Sequence, residues 1–370
     1  MRGKMAAAEN LLIEATTSTS NKNSSDEYDY EYIDEVCDRG STVQFGATLT
    51  PVVFSCVVIL SLFGNILVIV ILAKYENLRS LTNTFIMNLA VSDLFFTACL
   101  PFWAYYHMYG WTLGEPACKV VTFVFYVGFY SSGILLIMMT AHRYVAVMDP
   151  LSDIVSTKGF YSVLASVVIW AFGVLAAIPA SIFTKVLDKN RCENVDSYWT
   201  LWGIYQQNIF FILSSVIFIF CYSQIMCRLL RPTAQRRKNK TLKLIFTLMV
   251  VFFMGWGPYN IVIFLQSLYF WSQSQPPADS DDVVRNCGIL KLLDYAFYIS
   301  RLFAFSHCCL NPVFYVFVGV KFKNHLERML KSWGGNNNSI RSRRSRLTIT
   351  SLTSGEEFSL YMTETAKARP

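Results

Sequence analysis

The chain has 370 residues, of which 54% are hydrophobic and only 15% are charged, and its formal net charge is +7. One soluble core can hardly hide so large an apolar fraction, so an ordinary soluble protein is excluded and the apolar excess must face lipid. Nucleic-acid binding, the other interpretation of a basic chain, is disfavoured because the basic residues flank the apolar segments.

Seven apolar segments are long enough to cross a bilayer as helices, which takes about 20 residues each. Backbone groups in hydrocarbon have no water to bond to, so each segment should be a helix, and the runs lack the alternation typical of barrel strands. The sequence therefore predicts an all-α membrane protein with a seven-transmembrane helix bundle over residues 45–318. In chain order the spans are Phe45–Ala73, Leu81–His107, Cys118–Val147, Phe160–Phe183, Trp199–Leu230, Leu242–Phe270 and Ile289–Phe317.

The two ends of the chain predict its orientation. Acidic residues crowd the arm of residues 1–44, whereas Lys and Arg, which accumulate in cytoplasmic loops, fill the loop after the fifth span and the tail. We expect a multi-pass plasma-membrane protein with an extracellular N-terminus, a glycosylation acceptor at Asn23 and a cytoplasmic C-terminus. Residues 319–332 predict a short amphipathic eighth helix on membrane lipid, and residues 333–370 a disordered tail rich in Ser, Thr and Arg.

Four of the ten cysteines lie outside the spans or, for Cys118, at the first residue of one, where an oxidising compartment permits disulfides. They allow three pairings. Joining Cys118 to Cys192 would pin the loop after the fourth span over the bundle, and Cys37 would then tie the arm to Cys287 at the seventh span. We favour this connectivity, and other pairings or a free thiol stay open.

Signs of catalysis are absent from the sequence. It contains no nucleophile elbow, phosphate loop or paired carboxylates. Consecutive His307, Cys308 and Cys309 would point about 100° apart around a helix, so they cannot converge on one metal ion. We expect neither an enzyme nor a metal site.

Short motifs follow one another on successive predicted helices. They are Gly64-Asn65, Leu89 to Asp93, His142-Arg143-Tyr144, Trp170, Trp256-Gly257-Pro258 and Asn311 to Tyr315. In this order they resemble the rhodopsin-like G-protein-coupled receptors over roughly residues 45–332. The acidic tyrosine-bearing arm, the second pair of outer cysteines, Leu100 to Trp103 and Ser306 to Pro312 resemble chemokine receptors. Within that family, Trp256 to Asn260 and His142 to Tyr144 look most like the XC (lymphotactin) branch.

This resemblance implies a receptor that binds an extracellular XC-class chemokine and activates a heterotrimeric Gi protein, leading to calcium mobilisation and chemotaxis. It implies sulfated tyrosines in the arm that attract a basic ligand, and an aromatic pocket for the ligand's flexible end. An intramembrane Arg301 is costly unless it meets a partner, so we expect it to bind a carboxylate or carbonyl of the ligand, with Asp294 as the alternative partner. The implied ligand-binding residues are Tyr28, Tyr30, Tyr32, Trp103, Tyr126, Tyr259 and Arg301.

Below the pocket, the resemblance implies a polar cluster and a movable switch. The cluster of Asn65, Asp93, Ser132 and Asn311 resembles a sodium site, and a protonated or hydrogen-bonded Asp93 is the alternative. Proline removes a helical hydrogen bond, so the sixth and seventh helices should bend. The residues implied in switching and G-protein coupling are Arg143, Tyr222, Trp256, Pro258, Pro312 and Tyr315.

One departure from the family pattern opens a second interpretation. His142 stands where an acid normally precedes Arg143, which removes a local counter-ion. The change either raises basal activity or indicates a receptor that scavenges chemokine without G-protein signalling. A seven-span transporter is a further alternative, although the chain has no internal repeat. Phosphorylation of the tail by receptor kinases would recruit arrestin.

Overall fold

The structure is a computed structural model that describes residues 37–78, 80–149, 159–187, 191–229, 239–272, 280–318, 322 and 324–329. Asn23 and the three arm tyrosines lie outside these residues, as do most of the basic loop after the fifth span and the tail beyond 329. The described elements, in chain order, are α1 (Gly40–Tyr75), α2 (Leu81–Tyr109), α3 (Gly114–Met148), α4 (Gly159–Ile182), β1 (Thr184–Leu187), β2 (Arg191–Asn194), α5 (Ser197–Leu229), α6 (Asn239–Ser272), α7 (Ser280–Phe305) and α8 (His307–Val318).

The helices form a bundle whose exposed surface is apolar. Within the described part of the chain, six helices are long and apolar enough to cross a membrane. Large apolar side chains such as Ile59, Phe63 and Met254 point away from the bundle, with 68%, 72% and 71% of their surface exposed. Water would penalise that exposure, whereas lipid does not, so the predicted membrane bundle is confirmed.

Helix α3 is the central element of the bundle. It packs against α2, α4, α5 and α6. Of an 18-residue apolar stretch in α3, 67% of the residues are buried, compared with 17% for the corresponding stretch of α4. Helices α7 and α8 close the ring by packing against α1 and α6. A Cβ on Gly128 of α3 would lie 2.7 Å from the backbone nitrogen of Phe96, so glycine is what lets α2 and α3 approach so closely.

The structure differs from the sequence prediction in three places. Helix α1 begins at Gly40, inside the predicted arm, because Cys37 is anchored by a disulfide and the Asp38 carboxylate accepts the Gly40 N–H at 2.9 Å. The all-α prediction missed the antiparallel β1–β2 hairpin, in which Val186 lies opposite Cys192. The third difference is that the seventh span consists of α7 and α8, separated by a turn at Ser306.

Ser306 makes several local hydrogen bonds at this turn. Its hydroxyl donates to the Leu302 carbonyl at 2.7 Å, and its N–H is shared between the carbonyls of Leu302 and Phe303 at 3.1 and 3.2 Å. The hydroxyl bond to the carbonyl four residues earlier is also made by Ser214 and Ser215 inside the unbroken α5, so that bond alone does not break a helix. The break between α7 and α8 comes six residues before Pro312, which lies inside α8. Residues 324–329, within the predicted amphipathic segment, are helical.

Candidate functional site

Two disulfides define one end of the bundle, which we call the disulfide end. Cys118 at the start of α3 bonds to Cys192 of β2, and Cys37 bonds to Cys287 of α7. The structure thus has the connectivity that the sequence favoured. The first bond places the hairpin over the helices, and the second joins the chain before α1 to α7.

Asp294 pairs with the segment before α1 and is not among the residues that line the cavity described next. Its Oδ2 lies 3.2 Å from Nε of Arg39, and both side chains are largely buried. The interpretation of Asp294 as the internal partner of Arg301 is therefore wrong. Side chains seven residues apart on a helix lie on a similar face but about 10 Å apart along its axis. Arg39, which precedes α1, lies closer to Asp294 than Arg301 does.

A cavity of about 230 Å³ opens between the helices beneath the hairpin. All four bundle residues assigned to ligand binding from sequence line it, namely Trp103, Tyr126, Tyr259 and Arg301. Nine of the other nineteen lining residues are Phe, Trp or Tyr, so the walls are stiff and largely apolar. Such a cavity suits a narrow peptide segment with a few polar groups.

Arg301 keeps donors that the protein does not fully use. Its guanidinium carbon lies 5.1 Å from the ring centre of Phe297 and 5.5 Å from that of Tyr298, and Nη2 donates to Thr50 at 3.4 Å. Its Nε is buried without a hydrogen-bond partner. Stacking on aromatic rings stabilises the cation modestly, so hydrogen-bonding capacity remains for an acceptor in the cavity.

Glu193 brings a negative charge to the same cavity, and the sequence reasoning missed it. This β2 residue is 4% exposed; its Oε2 lies 3.4 Å from Nη1 of Arg191, and its Oε1 accepts from the Tyr106 hydroxyl at 3.4 Å. The available signal was its place directly after Cys192, because a disulfide that pins the hairpin over the bundle also brings the next residue there.

A second cavity of about 210 Å³ adjoins the first and shares Tyr126, Tyr259 and Phe297 with it. Both cavities are lined by side-chain amides, Gln206 in the first and Gln207 and Gln266 in the second, but no charged side chain is among the described residues that line the second. The described linings therefore form a charged chamber and a neutral chamber side by side.

The predicted polar cluster lies in the middle of the bundle. Asn311 donates to Asp93 Oδ2 at 2.8 Å and Ser132 donates to Oδ1 at 3.1 Å, so these two predicted neighbours meet the carboxylate. The sequence missed His307, whose Nε2 lies 3.9 Å from Oδ1. Asn65 does not contact Asp93; its amide donates to Ser61 and to the Cys308 carbonyl at 2.9 Å.

The position of Asn65 follows from Pro312. Proline has no N–H, so it leaves the carbonyl four residues earlier, that of Cys308, without its helical donor. Asn65 and Ser61 donate to that carbonyl instead, at 2.9 and 3.3 Å. A Cβ on Gly64 would lie 2.8 Å from the Pro312 ring, so glycine makes room for the proline. The Gly64-Asn65 and Asn311-Pro312 motifs thus belong to one contact between α1 and α8.

Trp256 connects the cavity with the polar cluster. Its ring centre lies 5.7 Å from that of Tyr259, which lines the cavity, and 5.2 Å from that of His307, which adjoins Asp93. It is almost fully buried and also packs on Phe129 at 4.4 Å. Pro258 lies inside α6, which continues through it from Asn239 to Ser272.

Arg143 lies at the opposite end of the bundle and has a partner that the sequence did not predict. Its Nη2 donates to the Thr82 hydroxyl of α2 at 2.9 Å, and its Nε is buried without a partner. Tyr222 packs on Phe246 with ring centres 5.5 Å apart. Tyr315 lies in α8, and its side chain is outside the described residues.

A membrane bundle with an aromatic cavity at one end and a polar centre is the architecture of a seven-helix receptor. Residues 64–315 match the family model described as 7 transmembrane receptor (rhodopsin family). The chain belongs to this family and, within it, to the chemokine receptors, as the following identities show.

Three relatives illustrate the similarity. Chemokine XC receptor 1 of Homo sapiens is 41% identical over 316 residues, which cover 85% of this chain and 91% of the relative. Chemokine XC receptor 1 of Mus musculus is 40% identical over 309 residues, covering 82% and 89%. C-C chemokine receptor type 4 of Homo sapiens is 34% identical over 316 residues, covering 83% and 85%. The family resemblance of the motifs is confirmed.

Proposed function

We propose that this receptor binds an XC-class chemokine outside the cell and activates a Gi protein, which mobilises calcium and drives chemotaxis. One observation carries the proposal: a chain 41% identical to Chemokine XC receptor 1 places Arg301 in an aromatic cavity at its disulfide end. In this proposal the disulfide end faces outward, and the basic loop and tail face the cytoplasm.

Binding has two parts in this proposal. The acidic arm, with sulfate on Tyr28, Tyr30 and Tyr32, attracts a basic chemokine and guides its register, because opposite charge accelerates the encounter. The ligand's N-terminal segment then enters the cavity, where Arg301 donates to one of its carboxylate or carbonyl oxygens. The stacked rings and the unpartnered Nε of Arg301 support this role.

Ligand in the cavity changes the bundle only if it binds one conformation more tightly than the other. The contact series Tyr259, Trp256, His307 and Asp93 joins the cavity to the polar cluster, which supports Trp256 as the switch. We expect the opening of α6 at Pro258, and a rearrangement of α8 near Pro312, to expose the far end. There a G protein would meet Arg143, with Tyr222 and Tyr315 stabilising the open form.

We also propose a sodium ion at the polar cluster in the resting receptor. The Asp93 carboxylate and the Ser132 hydroxyl, 3.1 Å apart, are oxygens of the kind that a small hard cation prefers. Bound sodium would supply the positive charge that a buried carboxylate needs.

His142 is the observation that favours the alternative, a scavenging receptor without G-protein signalling. We propose signalling, with arrestin and receptor kinases acting on the tail and lipid contacting residues 319–332. The test is a screen of purified chemokines for binding, calcium release, cyclic-AMP inhibition and uptake in cells that express the full chain. Binding of an XC-class ligand with calcium release and cyclic-AMP inhibition is expected. Uptake without either response would establish the scavenger, and the absence of chemokine binding would refute both.

A further inference from the structure

We propose that helix α1 positions Arg301 for the ligand, with the Thr50 hydroxyl as the group that orients its guanidinium. Thr50 is then a positioning residue, which affects the chemokine only through Arg301. The inference rests on the proposed function, because it requires a ligand that Arg301 binds in the cavity.

The first half of α1 and the residue before it pack along α7 in a row of contacts, which we call the α1–α7 seam. Its pairs, from the disulfide end inward, are Arg39 with Asp294, Phe45 with Tyr295, Gly46 with Tyr298, Thr50 with Arg301 and Phe54 with Phe305. Most of the α7 members recur at spacings of three or four residues, so they lie on one face of that helix. Arg301 therefore lies on the α1-facing side of α7, although it also lines the cavity.

Tyr298 supports the guanidinium from the α1 side. A Cβ on Gly46 would overlap the Tyr298 ring, so glycine is what lets the ring lie against the backbone of α1. The guanidinium carbon of Arg301 lies 5.5 Å from the centre of that ring and 5.1 Å from the centre of the Phe297 ring. Stacking on a ring favours one plane for the guanidinium, but it does not fix the direction of the N–H groups within that plane.

The Thr50 hydroxyl supplies that direction. Thr50 is fully buried, is not among the residues that line the cavity, and accepts a hydrogen bond from Nη2 of Arg301 at 3.4 Å. This bond is longer than the usual 2.7–3.2 Å, so it contributes orientation more than strength. Ordering a long, flexible side chain is one of the costs of binding a ligand. A guanidinium that α1 already holds in place avoids part of that cost when the chemokine arrives.

Removing the Thr50 hydroxyl tests the proposal in the full-length receptor. Thr50→Val replaces the hydroxyl by a methyl group of similar size, and the potency of an XC-class chemokine in calcium release is measured at matched surface expression. Potency should fall roughly three- to tenfold, as expected for the loss of one weak hydrogen bond. Thr50→Ser keeps the hydroxyl and should restore potency to within about twofold of the unmodified receptor.

A double-mutant cycle with Arg301→Gln separates positioning from a merely structural role. If Thr50 acts through the guanidinium, Thr50→Val should change potency by less than about twofold when Arg301 is already replaced. An equal loss in both backgrounds would show that Thr50 only supports the bundle and would overturn the proposal. Unchanged potency for Thr50→Val in the presence of Arg301 would overturn it as well.

A matched control lies two residues earlier on the same helix. Thr48 is exposed, and its hydroxyl donates to the Gln44 carbonyl at 2.9 Å within α1. Thr48→Val therefore makes the same substitution away from Arg301 and should leave potency unchanged within about twofold. If Thr50→Val fails to reach the surface, Thr50→Ala replaces it, because it also removes the hydroxyl and should show the same dependence on Arg301.

The unmodified receptor distinguishes a failure of this proposal from a failure of the proposed function. A chemokine that binds and signals with a potency independent of the Thr50 hydroxyl would refute the positioning role and leave the proposed function intact. Failure of XC-class chemokines to bind the unmodified receptor would instead refute the proposed function.

Discussion

Replacing Arg301 by Gln tests the central contact of the proposed ligand cavity. Glutamine removes the positive charge and both Nη groups, including the Nη2 that donates to Thr50 at 3.4 Å, and it keeps an amide near the position of Nε. We expect the variant to reach the cell surface, because the guanidinium contributes mainly stacking on Phe297 and Tyr298, about 0.5–2 kcal/mol at each ring.

The loss in potency can be calculated from the chemistry of the contact. A hydrogen bond from a charged group contributes about 1.5–3 kcal/mol, and about 1.4 kcal/mol corresponds to a tenfold change in affinity. Arg301→Gln should therefore raise the ligand concentration for half-maximal calcium release roughly 10- to 150-fold. Arg301→Glu, which places a second carboxylate beside the ligand's acceptor, should abolish signalling.

The assay measures calcium release and inhibition of cyclic AMP at matched surface expression. Lys291→Gln is the matched control, because it removes a positive charge from the same helix, ten residues earlier, at a position that does not line the cavity. Unchanged potency for Arg301→Gln, or an equal loss for Lys291→Gln, would refute the reasoning.

Three further variants probe the polar cluster, the far end of the bundle and the arm. Asp93→Asn should abolish the effect of sodium, against choline at equal ionic strength, on agonist affinity; a persisting effect would exclude a sodium site there. Thr82→Val removes the hydroxyl that accepts a hydrogen bond from Arg143 and should raise ligand-independent signalling severalfold, whereas Thr82→Ser should not. Equal basal signalling in the unmodified receptor and both variants would contradict this. Replacing the three arm tyrosines by phenylalanine should weaken chemokine binding about tenfold, and unchanged affinity would refute their role in ligand recognition. The tyrosines are Tyr28, Tyr30 and Tyr32.

The membrane bundle could be predicted from sequence because its cause is local. Each span needs only enough consecutive apolar residues, and the lipid environment then enforces helix formation. The lining of the cavity by Trp103, Tyr126 and Tyr259 also agreed with the family pattern. The turn at Ser306 could not be predicted in this way: the sequence pointed to a bend at Pro312, and the hydroxyl bond of Ser306 to the preceding helical turn is also made by Ser214 in an unbroken helix.

Partners distant in sequence could not be derived in the same way. Asp294 pairs with Arg39 across 255 positions, and Arg143 with Thr82 across 61. Both choices depend on how the helices pack, and a helical pattern specifies a face without specifying what lies against it. Glu193 needed one more step, since its relation to the cavity follows only once the disulfide from Cys192 to Cys118 is fixed.

The size of each contact limits what each part of the ligand can do. Moving a two-state equilibrium from 1:99 to 99:1 takes about a 10⁴-fold preference for the favoured state. A single contact at Arg301, at roughly 10- to 150-fold, is too weak alone, so further ligand contacts that form only in the active conformation must add to it. Contacts made by the arm do not shift the equilibrium between the two conformations if they are equally strong in both. The arm variant should therefore need more chemokine yet reach the full calcium response at saturation, whereas Arg301→Gln should also lower the maximal response. A reduced maximum in the arm variant at saturating ligand would show that the arm distinguishes the two conformations.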